Sequence, residues 1–342
     1  MPRVLIPSDN PDFVRYLAEA YARARWEATV GAANFDLGTA RYDRIHIQWP
    51  EELTGWQPPS EQRLAEISAR LTAWKRAGAE LVLTVHNLRP HRRSEDPMYQ
   101  RLLESVYQQV DSVLHFTNTS RELVTREFPV STRANHIVTG FFNLNRLVPA
   151  SRDPVAARRA RGFRDDEFVI LLFGGLREWS EVELVREGFD RAKVRGKRLL
   201  IAGSYDEPAP PWVQRWRRWT WARWLRSRRA TMVGGYVPDD AVHTVADAAD
   251  AVIIPRRSAL NSGVPALGAS FGKIIIAPQC GAYPELLGGT ENPIFAPGDA
   301  ADLAEKIEKA SKLDRTSLAT GNKALAQKWS WANLIGPLPH QE

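Results

Sequence analysis

The chain has 342 residues, 44% hydrophobic and 25% charged, a globular balance that excludes a disordered or fibrous protein and sets an expectation of about two domains. Its single cysteine, Cys280, excludes an internal disulfide and fits a reducing compartment. The net charge of +6 suits an anionic partner, whether nucleic acid, an anionic membrane face or a phosphorylated substrate, and does not choose among them.

The amino-terminal stretch does not read as a signal peptide, because Asp9 and Asp12 interrupt its short apolar run. Strand-sized apolar runs follow at Arg3–Pro7, Ala28–Gly31, Arg44–Gln48, Leu81–His86, Ser112–Thr117 and His136–Thr139. Helical periodicity fills the intervals at Asp12–Arg25, Ser60–Ala77, Pro97–Val110 and Ser120–Glu127. The alternation predicts an α/β fold built on a mostly parallel, doubly wound sheet. At Phe141–Pro154 the rhythm breaks on Asn143, Asn145 and two prolines. It restarts with strands at Phe168–Phe173, Arg198–Ala202, Thr231–Val233, Ala251–Ile254 and Lys273–Ala277. Helices are expected around Glu181–Lys193, Ala241–Ala248, Ser262–Ser270 and Ala300–Ser311. Two Rossmann-like domains meeting near residue 150 are the expected architecture. No apolar run is long enough to cross a membrane, so the expectation is a cytoplasmic protein.

The most informative segment is Leu171 to Arg177, a strand entering the turn Gly174–Gly175 and then a helix. Glycines let a backbone approach a ligand closely, and the helix N-terminus favours an anion. Arg177 adds donors in a fork that suits phosphate; the bland alternative is a tight turn with a surface arginine. A second strand ends in a small-residue loop at Asn261, Ser262 and Gly263, whose amides and hydroxyl suit a diphosphate, while Ser262 equally suits an N-cap. After the next strand comes Gly281 to Glu285, where Glu285 can accept a hydroxyl of ribose or sugar. Turns after successive strands line up at the carboxyl edge of one sheet, where ligands bind in open α/β folds.

In the first half, Trp49 and Pro50 stop a strand with Glu51 and Glu52 behind them, and Asp9 follows the first strand. A carboxylate at a strand end is a candidate general base, though a lone loop glutamate is more often merely solvated. Val85–His86–Asn87, then Pro90–His91, repeats the pattern one strand later; His86 reads either as a site residue or as a satisfied core histidine. No metal-ligand spacing, nucleophile elbow or Walker sequence occurs.

One segment stands apart. From Trp212 to Arg229, tryptophans interleave with arginines, a composition suited to an anionic membrane surface. At helical spacing Trp212, Trp216 and Trp219 share a face, while Trp221 and Leu225 point elsewhere. A crossover helix whose tryptophans pack on the sheet is the competing reading, and no nucleic-acid module surrounds the segment.

Together these pieces resemble the bacterial GT-B glycosyltransferases that build exopolysaccharides and lipid-linked oligosaccharides, in particular the group including the xanthan β-mannosyltransferase. The resemblance rests on His46 to Glu51, Val85–His86–Asn87 with Pro90–His91, Phe173 to Arg177, Asn261 through Lys273, Gly281 to Glu285, and a closing helix with Trp329 and Trp331. It implies two Rossmann-like domains facing a cleft. Residues 1–150 would bind acceptor and 151–320 the nucleotide sugar, with 321–342 crossing back to the first domain. It further implies a donor linked to UDP or GDP, held by Gly174, Gly175, Arg177, Asn261, Ser262, Gly263 and Glu285. A saccharide or lipid-linked acceptor would lie at Trp49, His86, Asn87 and His91, with Glu51 as base and Asp9 as second choice.

No cofactor, metal or nucleic acid enters this expectation, and the peripheral site would be the inner face of the plasma membrane. Two departures bear on mechanism. Leu260 and Gly268 stand where many retaining relatives carry glutamates, which favours an inverting transfer, and Ser180 stands where relatives carry a diphosphate-binding lysine. A sugar-nucleotide epimerase of the same fold, or a degenerate partner subunit, are the competing implications.

Overall fold

The computed structural model describes residues 1–90, 95–205 and 207–338. They form two compact units, Met1–Phe142 with Ser330–Glu342, and Asn143–Trp329.

In the first unit the chain runs β1 (Arg3–Ile6), α1 (Pro11–Arg23), β2 (Glu27–Val30), α2 (Ala33–Leu37), β3 (Arg44–Ile47), α3 (Glu61–Arg76), β4 (Glu80–Thr84), α4 (Pro97–Gln109), β5 (Ser112–His115), α5 (Asn118–Glu127) and β6 (Asn135–Val138). All six strands are parallel, in the order β2-β1-β3-β4-β5-β6. Val4, Leu5, Ile6, Ile45 and Ile47 are completely buried, as strands covered on both faces require. Helix α1 starts cleanly because Asn10 accepts from the amides of Asp12 and Phe13 and Pro11 occupies the first turn. The chain order reverses between β1 and β3, so the loops after these two strands diverge and leave a crevice at the strands' carboxyl ends. Asp9 follows β1 and Glu51 follows β3.

The second unit runs α6 (Pro154–Ala160), β7 (Phe168–Phe173), α7 (Trp179–Arg191), β8 (Lys197–Ala202), α8 (Pro211–Ser227), β9 (Thr231–Val233), α9 (Asp239–Ala248), β10 (Ala251–Ile253), α10 (Val264–Phe271), β11 (Ile274–Pro278), α11 (Tyr283–Leu287), β12 (Ile294–Phe295), α12 (Ala300–Lys312) and α13 (Arg315–Lys328). Its six parallel strands are ordered β12-β11-β10-β7-β8-β9. The reversal here lies between β7 and β10, which pair Leu172 with Ile253. Ile170, Leu172, Val182, Leu199, Leu303 and Ile307 form the centre of its core.

Two boundaries differ from the sequence expectation. The first unit ends at Phe142 rather than near 150, and the return falls at Ser330 rather than at 321. The reason is local packing. Asn322, 1% exposed, donates to the carbonyl of Lys273 at 2.7 Å and holds α13 to the second unit. The final turn, Trp331–Ile335, is fixed within the first unit by Arg44. That arginine is 1% exposed, and its guanidinium donates to the carbonyls of Ile335 at 2.6 Å and Pro337 at 2.5 Å and pairs with Glu80.

Candidate functional site

In the second unit, the β7 turn depends on glycine. Gly174 has φ +86°, and a Cβ on Gly203 would lie 2.1 Å from the Gly174 carbonyl, so the loops after β7 and β8 meet backbone to backbone. Gly175 is exposed beside it. Arg177, on the exit, is half-buried; its backbone amide donates to Glu181 Oε2 at 2.7 Å. The same oxygen accepts Arg256 Nη1 at 2.6 Å, and Arg256 Nη2 reaches the Gly175 carbonyl at 2.8 Å. Glu181 and Arg256 are 4% and 8% exposed, so one buried carboxylate receives both the Arg256 guanidinium and the Arg177 backbone amide. Burial first, then repulsion from Arg256, pushes the Arg177 pKa down to about 10, which leaves it charged at neutral pH. The region lies at the carboxyl edge where the strand order reverses.

The neighbouring loops close this region. The Ala282 amide donates to the Leu260 carbonyl at 2.9 Å, tying the loop after β11 to the loop after β10. Asn261 is buried, Ser262 half-buried and Gly263 exposed at the start of α10. Ser262 Oγ accepts the Val264 amide at 3.3 Å, but the residue that caps α10 is Gly263, so the N-cap role that the sequence offered Ser262 falls to its neighbour. Burial raises the Tyr283 pKa, while Arg256 and Arg177 act to lower it, which places its ring among the two arginines. Glu285 is exposed in the first turn of α11. Ser180, which replaces a lysine of the resembled enzymes, donates to Glu178 at 3.0 Å. Leu260 is 5% exposed, and a Cβ on Gly268 would lie 2.5 Å from Ile275 Cγ1, so the second position has no room for a carboxylate. Sequence reasoning missed Arg256, Glu181 and Tyr283. Arg256 is contiguous with the Asn261 loop, but its partner lies 75 positions away and leaves no local signal.

In the first unit, the Asp9 side chain is exposed and its Oδ1 accepts the Ala32 amide at 3.0 Å. Its own amide donates to Glu52 Oε1 at 2.6 Å. Asp9 is therefore held from both ends with its carboxylate facing solvent. Glu51 is 4% exposed and lines a small cavity of about 10 Å³ together with Leu83, Thr84, Leu103 and Tyr107 among others. Burial, with help from Glu52, pushes its pKa up to about 7.

His86 is half-buried under the half-buried Trp49, with ring centroids 4.1 Å apart and stacked. Phe13 and Phe116 meet the His86 ring edge-on at 4.7 and 5.4 Å, and its Nε2 lies 3.0 Å from Gln48 Oε1. This enclosure pushes the imidazole down to about pKa 3 and keeps it neutral. Trp331 joins the cluster, stacked on Tyr16 at 4.9 Å. Asn87 follows half-buried, and His91 lies outside the described residues. Among the described residues no group of three or more His, Cys, Asp or Glu side chains could hold a metal ion. Among the described residues no helix is long and apolar enough to cross a membrane.

Two six-stranded parallel sheets, each with a chain reversal opening a crevice at its carboxyl edge, define the GT-B class of fold. Residues 167–312, which carry Arg177, Glu181 and Arg256, match the family model for glycosyl transferases group 1. The whole chain is similar to sucrose-phosphate synthase from Thermosynechococcus elongatus, with 18% identity and a TM-score of 0.73 over 98% of this chain and 97% of that one. HepE of Anabaena, solved in complex with UDP and glucose, shares 15% identity with a TM-score of 0.72 over 98% of both chains. A glycosyltransferase from Rickettsia africae shares 13%, with a TM-score of 0.66 over 98% of this chain and 96% of that one. No curated protein matches the sequence.

Proposed function

We propose that this protein transfers a sugar from a nucleotide diphosphate donor to an acceptor hydroxyl with inversion at the anomeric carbon. The observation that carries this reading is the arrangement of Arg177 and Arg256 around Glu181 at the β7–β10 reversal. The diphosphate binds there, with Arg177 supplying charge and forked donors. Arg256 works through Glu181 and the Gly175 carbonyl to hold the turn open. Charge develops on the leaving phosphate in the transition state, where fixed donors stabilise it without reorganising. Asn261, Ser262 and Gly263 line the same edge, and Glu285 accepts a hydroxyl of the donor. The complexes of HepE with UDP and with UDP-glucose support a uridine diphosphate donor by analogy of fold.

The acceptor belongs to the first unit, over Trp49, His86 and Asn87, where aromatic faces suit a saccharide. Asp9, exposed and oriented by the Ala32 amide, takes the hydroxyl proton. The acceptor oxygen then bonds to the anomeric carbon as the bond to the diphosphate oxygen breaks, releasing nucleoside diphosphate. Glu51, the first choice from sequence, is ranked second because of its burial. A lipid-linked saccharide of the kind used in exopolysaccharide assembly is the acceptor class that the sequence resemblance favours. Incubation with UDP- and GDP-sugars in the presence of saccharide acceptors tests the reading. Acceptor-dependent release of nucleoside diphosphate is expected; free epimerised nucleotide sugar, or no turnover with any donor, would refute it.

A further inference from the structure

Helix α8 presents two unlike faces. Trp221, Trp224 and Leu225 are buried in the core, with the two indoles stacked at 5.1 Å and Trp224 Nε1 donating to Asp190 at 3.0 Å. On the opposite side Trp212, Trp216 and Trp219 are 68%, 56% and 56% exposed. Their spacing of four and then three residues places them in one stripe along the helix. Core packing and surface exposure, which the sequence posed as alternatives, therefore hold on different faces of one helix.

Arginines flank the exposed stripe. Arg217 pairs with Glu207 at 2.8 Å and Arg228 with Asp190 at 2.6 Å. Arg215, Arg218 and Arg226 are exposed and form no ion pair with any described residue, and Arg223 lies over the Trp219 ring at 5.7 Å. Between Glu207 and Asp239 the chain carries seven arginines and no acidic residue. Three half-exposed indoles in a row forgo burial that the fold could have given them, which marks an interaction surface.

We propose that the Trp212–Trp216–Trp219 face of α8 docks on an anionic lipid bilayer. Indole rings favour the headgroup region, where an apolar body and a polar N–H are both satisfied, and guanidinium groups reach past them to lipid phosphates. The charge selects this occupant. A second copy of the same face would set unpaired arginines against arginines, and single-stranded nucleic acid is held in grooves, whereas this stripe rides on a convex helix. The proposal stands independently of the transfer reaction.

Vesicle sedimentation of the full chain tests it, using phosphatidylcholine alone and phosphatidylcholine with phosphatidylglycerol. The protein should sediment with the anionic vesicles, and high salt should release it. Trp216→Ser/Trp219→Ser should weaken this binding tenfold or more with an unchanged melting temperature. Arg215→Gln/Arg218→Gln/Arg226→Gln should weaken it by about fivefold per arginine. If the tryptophan variant melts early, the arginine variant alone decides. No sedimentation of the native chain, or undiminished binding by the arginine variant, would overturn the proposal. So would tighter retention on single-stranded RNA than on vesicles, or a lipid-free dimer that the tryptophan changes dissociate.

Discussion

Arg256 donates to Glu181 at 2.6 Å, and the same carboxylate oxygen receives the backbone amide that begins the turn at Arg177. The charge beside the β7 turn is thus delivered from the end of β10, while Ser180 stands where the resembled enzymes carry a lysine. Because the pair is buried, removing one partner leaves an uncompensated charge. Arg256→Met should cost about 3–5 kcal/mol of stability, and Arg256→Met/Glu181→Gln should recover part of it. Arg177→Ala, at a half-buried position, should cost roughly 1 kcal/mol or less. Urea melts of the four proteins check this order.

The two candidate bases separate by exposure. Asp9→Asn should reduce turnover by about two to four orders of magnitude while donor affinity stays within about twofold. Glu51→Gln should retain most of its turnover. Steady-state rates for both variants decide the assignment, and the reverse pattern would return the role to Glu51.

Glu51 also predicts a pH dependence of stability. Its folded pKa of about 7 lies above the ordinary carboxyl value, so the folded state holds a proton that the unfolded state releases earlier. Its contribution is fully present below about pH 4.5 and is lost as pH rises to about 7. Relative to the native chain, Glu51→Gln should therefore gain stability across that interval, levelling at about 3–3.5 kcal/mol above pH 7.5. Thermal melts at pH 5 and pH 8 measure the difference; equal differences at both pH values would show that Glu51 is not buried with a raised pKa.

How far this was legible in the sequence depends on how local each signal is. Phe168–Phe173 is six apolar residues in a row, and β7 occupies that same span. The closing helix expected over 321–342 lies earlier, as α13, and ends before Trp329; it buries only Leu318, Asn322 and Ala326, with Gly321 in its middle, so no apolar stripe marks its start. Helices α2 and α11 span five residues each, too short to show a period. At β7 the turn itself was legible, because two glycines after a strand mark a sharp change of backbone direction, and Gly174 has φ +86°. Burial was not legible. Nothing near Glu51 in sequence says that Leu103 and Tyr107 of α4 close over it.

Gly268 tests why a retaining-type carboxylate is missing. An added methyl would meet Ile275 at 2.5 Å and Val252 at 3.0 Å, both within the sheet beneath α10. Gly268→Ala should cost about 1–3 kcal/mol, and Gly268→Glu should yield no folded protein. Melting curves and soluble yield check both. A well-folded Gly268→Glu chain would show that the sheet yields at this point and that the glycine is not there for packing.

The central claim is that the β7 turn holds the donor's diphosphate through Arg177. The most direct measurement is calorimetric titration of native and Arg177→Ala proteins with UDP, GDP and the matching nucleosides. Binding of the preferred nucleoside diphosphate should weaken by about 1.5–3 kcal/mol, the range for a charge-assisted hydrogen bond, while binding of the bare nucleoside stays within about twofold. Equal losses for nucleoside and diphosphate, or no loss for either, would contradict the account.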